Sequence, residues 1–260
     1  MSLISRAKGK WNQSGFMGVL ASAFRYAANR LDRRSSATQA DGTSEFLTWI
    51  QFAVPGMLTR GNVEAFRHAA AEMPSEGSIL EIGSFCGLST TVILYWLDKY
   101  SRDNKVFTCD KWEFEGQQLG AALGDSPSIT HDDYQSYVKG TYLRVMNTFA
   151  ANRLPYTIES FSDEFFQLWD KQQTLVDVFG RSVTLGGGLS FCYIDGNHSY
   201  DFARRDFENT DQVLLQGGFI LFDDSADGSH WEVNRLVREI VAEGKYELIL
   251  ANPTYLFKKK

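Results

Sequence analysis

From Ser78 onward, short apolar runs alternate with longer amphipathic segments, and turn residues separate them. This alternation is typical of α/β proteins, in which helices pack on a mainly parallel sheet. It predicts strands at 78–82, 105–110, 156–159, 190–195 and 218–223, with helices at 89–100, 134–152, 162–170 and 202–215. The last two apolar runs, 246–250 and 255–259, are separated by a turn containing Pro253 and predict an antiparallel hairpin. We therefore expect a doubly wound α/β fold with a C-terminal antiparallel hairpin.

The size and charge of the chain limit what it can be. Its 260 residues suit one hydrophobic core with an appendage, and we place a catalytic body at 56–260 behind an N-terminal segment, 1–55. No apolar run approaches the ~20 residues that cross a bilayer. Residues 1–40 hold seven basic residues and one acidic residue, which gives them a net charge of +6. Since the whole chain carries −6, residues 41–260 carry −12. An acidic body argues against nucleic acid as the partner.

The basic N-terminal segment leaves several interpretations open. Phe16, Leu20, Phe24 and Leu31 can share one helical face, which favours an amphipathic lid or a docking helix. The same pattern could lie on an anionic membrane surface, or it could belong to a signal peptide. We expect a helical lid or docking segment, and the oligomeric state, a homo-oligomer included, stays open.

Two other features bear on compartment and access. The chain has three cysteines, Cys86, Cys109 and Cys192, and their odd number without metal-ligand spacing predicts buried thiols in a reducing, cytoplasmic protein. The polar, glycine-containing stretch 113–133 lacks periodicity and predicts a long loop. Loops of that length are usually functional or mobile. It could be a substrate lid or a surface insertion.

A glycine turn joins the first predicted strand to its helix. Gly83 and Gly87 enclose Ser84, and Ser89 follows within the helix. Two glycines let the backbone approach a ligand closely, and the start of a helix offers free N–H groups. The Gly-x-x-x-Gly spacing differs from that of dinucleotide sites. Glu81, two residues before the turn, favours a ligand with a cationic amine.

Further acidic residues follow the other predicted strands. Asp110 ends the second strand, where doubly wound folds bind ribose hydroxyls. Asp195 ends a later strand, and Asp223 with Asp224 ends the next. Three converging carboxylates predict a cation between them, and an all-oxygen set favours Mg²⁺, Ca²⁺ or Mn²⁺. His198 could face the same point as a general base.

Together these motifs resemble a known family. The turn after Glu81, the acid Asp110, the string Tyr-Ile-Asp-Gly-x-His-x-Tyr at 193–200 and the strand Gly-Gly-x-Ile-x-x-Asp-Asp at 217–224 are similar to class I S-adenosylmethionine-dependent methyltransferases. More narrowly, they resemble metal-dependent sugar O-methyltransferases of the macrocin O-methyltransferase type. The resemblance covers residues 55–260. Catechol-type relatives carry Asp-x-x-Lys where this chain has Asp195-x-x-His198, which favours a sugar hydroxyl as the acceptor.

The resemblance implies a fold and a set of site residues. The fold is a Rossmann-like, seven-stranded, mostly parallel sheet with one antiparallel strand near its end. The S-adenosylmethionine site comprises Glu81, Gly83, Ser84, Gly87, Ser89, Asp110, Ser162 and Asp195. Within it, the turn holds the methionine part, Asp110 binds the ribose and Ser162 borders the adenine. The implied ligands of a divalent cation, Mg²⁺ above all, are Asp195, Asp223 and Asp224. The catalytic residues are His198, as base, and Asp195.

The implied reaction is methyl transfer to a hydroxyl of a sugar, which could be a free saccharide, an oligosaccharide, or part of a glycosylated natural product or lipid. Aromatic faces suit the C–H surfaces of sugars, and this makes Trp112, Tyr200, His230 and Trp231 candidates for the acceptor wall. Two alternatives stay open: O-methylation of a phenolic or catechol acceptor, and a non-catalytic relative that binds the cofactor.

Overall fold

The computed structural model describes residues 44–114 and 116–260. The chain divides into two units, Met1–Thr48 and Trp49–Lys260, and only residues 44–48 of the first unit are described. The predicted N-terminal lid therefore lies largely outside the described residues, and the division expected between residues 55 and 56 remains a prediction.

Seven strands form the main sheet of the larger unit. In chain order they are β1 (Ser78–Ile82), β2 (Val106–Cys109), β3 (Tyr156–Ile158), β6 (Leu189–Ile194), β7 (Leu214–Phe222), β8 (Tyr246–Leu250) and β9 (Tyr255–Lys259). Their spatial order is β3-β2-β1-β6-β7-β9-β8. The first five are parallel, whereas β9 is antiparallel to both β7 and β8. The expected seven-stranded α/β sheet with a C-terminal hairpin is confirmed.

Seven described helices accompany the sheet: α1 (Glu45–Ala53), α2 (Arg60–Glu72), α3 (Leu88–Lys99), α4 (His131–Phe149), α5 (Ser162–Asp170), α6 (Tyr200–Val213) and α7 (Val233–Glu243). A separate hairpin of β4 (Thr174–Val176) and β5 (Ser182–Thr184) follows α5. None of the described helices combines the length and the apolar character needed to cross a membrane.

The central strands are buried on both faces because helices cover the sheet on either side. Every residue of β2 and β6 is buried, which explains why these strands are continuous apolar runs in the sequence instead of alternating patterns. Cys86, Cys109 and Cys192 are free and buried, as predicted. Burial raises the pKa of each thiol, so the three side chains behave as structural residues.

Some predicted boundaries were wrong. Helix α4 begins at His131, three residues before the predicted start, because Thr130 and Asp133 form a capping box, so the loop predicted at 113–133 ends at Thr130. Strand β7 begins at Leu214, where the prediction still had helix. The sequence analysis also missed α1, α2, the β4–β5 hairpin and α7, although α7 buries apolar residues at helical spacing, such as Val233 and Val237.

Candidate functional site

The candidate site lies at the carboxyl ends of the central strands. The chain runs from β1 through β2 to β3 on one side and from β6 to β7 on the other, so the strand order reverses between β1 and β6. In doubly wound sheets such a reversal opens a crevice that binds ligands. Gly83, Asp110, Asp195 and Asp223 each follow a strand directly, and each donates its amide to a carbonyl of the neighbouring strand. The sheet thereby fixes the backbone of four predicted site residues.

The turn after β1 brings two backbone segments closer than a side chain would allow. Gly83 has a φ of +81°, and a Cβ added there would lie 2.1 Å from the backbone oxygen of Asp195. Gly87 has a φ of +88° and donates its amide to the Ser84 carbonyl at 2.7 Å. As the N-cap of α3, Gly87 has no side chain to offer the first-turn amides. A hydrogen-bond acceptor of a ligand can therefore bind to these amides.

Glu81 lies on β1 beneath this turn, and its side chain is fully buried. Thr90 and Ser89, at the start of α3, hydrogen-bond to its carboxylate. Burial nevertheless raises the pKa of Glu81 to about 7. Among the described residues, none hydrogen-bonds to Oε1 of Glu81. A buried carboxylate oxygen without a partner costs free energy, so the site fits a ligand that brings an ammonium group.

Asp110 is directed at the glycine turn. Its carboxylate accepts hydrogen bonds from the backbone amides of Ser84 at 2.8 Å, Phe85 at 2.9 Å and Trp112 at 2.6 Å. Burial raises the pKa of Asp110, and these hydrogen bonds oppose the rise. A carboxylate offers about four lone-pair positions, so most of its acceptor capacity is used by the chain itself. Asp110 holds the turn in place, and its ribose contact remains a prediction.

Ser162, predicted near the adenine, is the first residue of α5 and hydrogen-bonds to Asp206 of α6. Asp206 is almost completely buried, and this burial raises its pKa to about 7. The hydroxyl oxygen of Ser160, just after β3, is buried and has no hydrogen-bond partner among the described residues. After β3 the chain therefore has one serine that is bonded to a buried acid and one whose buried hydroxyl has no partner among the described residues.

The carboxyl groups of Asp195 and Asp223 are in hydrogen-bond contact. Burial and the negative charge of Asp223 raise the pKa of Asp195 well above its usual range. The hydroxyl of Tyr193 also hydrogen-bonds to Asp195, and the side-chain amide of Asn62 donates to Asp223 and to the Tyr193 hydroxyl. Two carboxylates in contact repel each other unless a proton or a cation lies between them.

His198 lies between two of the predicted aspartates. Its Nε2 is 3.5 Å from Oδ1 of Asp195, and its Nδ1 is 3.6 Å from Oδ2 of Asp224. The His198 side chain is 18% exposed and that of Asp224 is 48% exposed, so the imidazole is partly sheltered but reachable. Burial and the charge of Asp223 raise the pKa of Asp224. Two acidic partners on opposite sides of the ring orient it.

The aspartates only partly form the predicted metal centre. Within residues 44–114 and 116–260, no three or more His, Cys, Asp and Glu side chains form a group arranged to hold a metal ion. Asp195 and Asp223 face each other, whereas Asp224 has a φ of +48° and its carboxylate lies beside His198. The donor chemistry still fits a hard divalent cation, because such a cation takes oxygen ligands and would relieve the repulsion between two adjacent carboxylates.

The four acceptor-wall candidates separate into three environments. Trp112 is only 2% exposed, and its indole N–H donates to the Phe85 carbonyl, so it is a core residue and not part of a wall. Tyr200 directs its hydroxyl to Glu239. Trp231 lies next to His198, with ring centroids 5.2 Å apart, and the His230 ring lies 4.5 Å from that of Trp231. Trp231 and His230 therefore lie beside Asp195, Asp223, Asp224 and His198, which together are called the acidic cluster.

Sequence reasoning missed two residues of the site. Asn62 lies 161 residues from Asp223 in sequence, and its local pattern indicates only the capping box that it forms with Thr59. Asp206 lies in the middle of α6 on the same face as Ala203 and Thr210, and all three are buried, but the charged residues next to it in sequence conceal this. Both act through long-range contacts, which composition and spacing do not reveal.

Comparison with known proteins identifies a family. The model of a family described as a methyltransferase domain matches residues 80–225, more than half of the chain. A curated protein of Acanthamoeba polyphaga mimivirus, the uncharacterized protein R132, is 36% identical over 75 residues, which cover 26% of this chain and 33% of the relative. The chain thus matches about a third of the length of that curated relative.

Solved structures share the fold. An O-methyltransferase from Bacillus cereus in complex with SAH has a TM-score of 0.53 at 13% identity, covering 89% of this chain and 97% of that chain. The SAH-bound methyltransferase PaMTH1 of Podospora anserina has a TM-score of 0.55 at 13% identity, covering 90% and 96%. CalS11, a TDP-rhamnose 3′-O-methyltransferase of calicheamicin biosynthesis, has a TM-score of 0.51 at 15% identity, covering 95% and 96%.

Proposed function

The chain belongs to the methyltransferase domain family, and on that basis we propose that it transfers a methyl group from S-adenosylmethionine to a hydroxyl of a sugar with the help of a divalent cation. The observation that carries the proposal is the contact of His198 with Asp195 and Asp224, and of Asp195 with Asp223, at the point where the strand order reverses. This cluster adjoins the glycine turn, because Gly83 approaches the backbone of Asp195.

The methyl donor takes the side of the crevice formed by β1, β2 and β3. Glu81 offers its unpartnered oxygen to the amino group, and the turn from Gly83 to Gly87 lies along the methionine part. Asp110 keeps that turn in position and uses its remaining acceptor capacity for the ribose. S-adenosylmethionine supplies an electrophilic methyl group, so the protein has to align the acceptor oxygen with it and help that oxygen lose its proton.

Asp195 and Asp223 are the residues that would hold a divalent cation, with Asp224 beside them. Mg²⁺ suits these oxygen donors. A divalent cation supplies positive charge that makes an acceptor hydroxyl more acidic. Asn62 keeps the Asp223 carboxylate in place through its side-chain amide, and Tyr193 does the same for Asp195.

His198 is the base that accepts the proton of the acceptor hydroxyl. Its ring lies between Asp195 and Asp224, and these carboxylates hold the ring in position to receive the proton. The imidazole is exposed enough to meet a substrate. Asp195 therefore contributes both to the cation site and to the orientation of the base.

A sugar acceptor is favoured by two observations. The sequence has a histidine where catechol-type relatives have a lysine, and Trp231 with His230 offers aromatic faces beside His198. CalS11, which shares the fold, is described as a TDP-rhamnose 3′-O-methyltransferase. We place the reaction in the cytoplasm, in keeping with the buried free cysteines, and assign residues 1–55 the role of a lid or docking segment.

Calorimetric titration with S-adenosylhomocysteine, once in EDTA and once with excess Mg²⁺, tests this function. We expect stoichiometric micromolar binding in both buffers, because all the residues assigned to the cofactor except Asp195 lie on or after β1, β2 and β3, apart from the Asp195–Asp223 pair. Methyl transfer to glycosides should then require the Mg²⁺ buffer. Absence of binding in both buffers would refute the methyltransferase function. If S-adenosylhomocysteine binds but methyl transfer occurs only to catechols, then the acceptor is a phenol and not a sugar. If it binds and no acceptor is methylated, then the protein is a non-catalytic relative.

A further inference from the structure

A groove runs along the exposed face of α7, beside the segment that connects β7 to this helix. The groove is open to solvent and has a volume of about 440 Å³, and its lining includes Trp231, Glu232, Arg235, Arg238, Glu239 and Ala242. Small-molecule sites commonly measure ~300–1,000 Å³, so the groove is large enough for a ligand group. None of these residues belongs to the cofactor side of the crevice.

The groove is continuous with the acidic cluster through Trp231. The indole lines the groove and also lies 5.2 Å from the His198 ring, measured between centroids. The backbone fixes this arrangement, because the Val233 amide donates to the His198 carbonyl at 3.1 Å. The Glu232 carboxylate accepts a hydrogen bond from the Tyr200 amide at 2.9 Å, and this bond connects the groove to the start of α6. A substrate that reaches His198 can therefore extend past Trp231 into the groove.

The polar groups of the groove alternate in sign. Arg235 is paired with Glu239 at 3.0 Å and lies over the Tyr200 ring. Arg238 is 62% exposed and only loosely paired, 3.8 Å from Asp227. Because Glu232 and Glu239 line the groove together with the two arginines, the positive and negative charges are equal in number and the groove suits a phosphate or another anion poorly. Planar donors and acceptors around an indole face suit a neutral group that carries several hydroxyls.

We propose that this groove is a binding subsite for a second sugar unit of the acceptor, next to the unit that is methylated at His198. The inference rests on the proposed function, and it narrows the acceptor to an oligosaccharide or a glycoside of at least two sugar rings. Trp231 packs against the second ring, and Arg238 donates hydrogen bonds to its hydroxyls. Binding energy from this remote unit would be used to align the reacting hydroxyl.

Paired acceptors test the proposal. Methyl glycosides of rhamnose, glucose, galactose and mannose are each compared with a disaccharide methyl glycoside that ends in the same sugar, using radiolabelled S-adenosylmethionine and Mg²⁺. For the accepted sugar, kcat/KM should be at least about tenfold higher for the disaccharide than for the monosaccharide. The R238A variant should reduce this ratio severalfold. The R144A variant, which removes an exposed arginine of α4, should keep it, and melting curves verify that both variants are folded.

The outcomes separate this inference from the proposed function. Equal kcat/KM for the two members of the accepted pair, or an unchanged ratio in R238A, would overturn the subsite and leave sugar methylation standing. If no glycoside of either length is methylated while S-adenosylhomocysteine still binds in the calorimeter, then the sugar acceptor itself is refuted, and the subsite with it.

Discussion

The two sides of the crevice are built on different principles. On the cofactor side, Asp110 is held by three backbone amides, and the glycine turn is fixed by the sheet. On the acceptor side, Asp195 contacts another carboxyl group, and His198 stands between acidic residues at distances of 3.5 and 3.6 Å. The geometry of the cofactor side therefore depends on a fixed backbone, whereas the properties of the acceptor side depend on carboxyl groups that lie close to one another.

This difference predicts how each side fails. A substitution on the cofactor side should act through strain, so it should lower stability and ligand affinity together. A substitution on the acceptor side should remove reactivity and leave the fold intact, because relieving repulsion between carboxylates does not destabilise the protein. The variants below test this contrast.

The largest effect is expected for D195N, which keeps the shape of Asp195 and removes its charge. Turnover should fall by about 10⁴-fold, the order seen when a carboxylate that orients a catalytic histidine is neutralised. Affinity for S-adenosylhomocysteine should change little. Initial rates and calorimetry measure the two quantities, and D103N, at an exposed position, serves as the control. Normal turnover in D195N would reject the role of this carboxylate.

Removal of His198 should have the next largest effect. H198A should lower kcat by about 10²- to 10⁴-fold, because the acceptor hydroxyl loses its base. H198Q keeps a polar side chain beside the neighbouring aspartates but does not take up a proton, so it should lose as much. Saturating-acceptor kinetics compare the two. If H198Q retains the wild-type rate, then His198 positions groups and is not the base.

On the cofactor side, G83A should lower both stability and affinity for S-adenosylhomocysteine. The added Cβ would lie 2.1 Å from the Asp195 carbonyl oxygen, and we expect a loss of more than about 4 kcal/mol in the free energy of unfolding. G244A is the matched control, since Gly244 has a φ of +69° with no atom near its Cβ position. It should cost only about 1–2 kcal/mol. If denaturant melts show the same loss of unfolding free energy in G83A and G244A, then the close approach of Gly83 to the Asp195 backbone is not what requires glycine.

The last effect concerns the pH dependence of stability. Burial raises the pKa of Asp206 and of Glu81 to about 7 each, so the folded protein keeps protons that the unfolded chain releases near pH 4. Stability should therefore fall as pH rises between about 4 and 7, by up to about 1.4 kcal/mol per pH unit for each group. D206N removes one of the two groups and should make the dependence shallower, whereas D170N, at an exposed position, should not. Denaturant melts at several pH values measure this slope.

Sequence reasoning predicted the features that depend on local pattern. The seven strands of the main sheet are short segments rich in apolar residues, so they could be identified, and Asp110, Asp195 and Asp223 directly follow three of these segments. The environment of Trp112 could not be predicted, because a single tryptophan after a strand can turn inward or outward. Likewise Asn62, in the first turn of α2, donates a hydrogen bond to Asp223 after β7, and only the assembled fold brings the two together.

The reversal of strand order between β1 and β6 has a consequence for how such a chain can change. Residues assigned to the methyl donor follow β1, β2 and β3, whereas those assigned to the acceptor follow β6 and β7, and only Asp195 serves both. Acceptor choice can therefore be altered, in evolution or by engineering, through the segment between Asp224 and Val233 without rebuilding the donor site. A chimera that exchanges this segment with that of a relative should inherit the relative's acceptor preference and keep its own cofactor affinity.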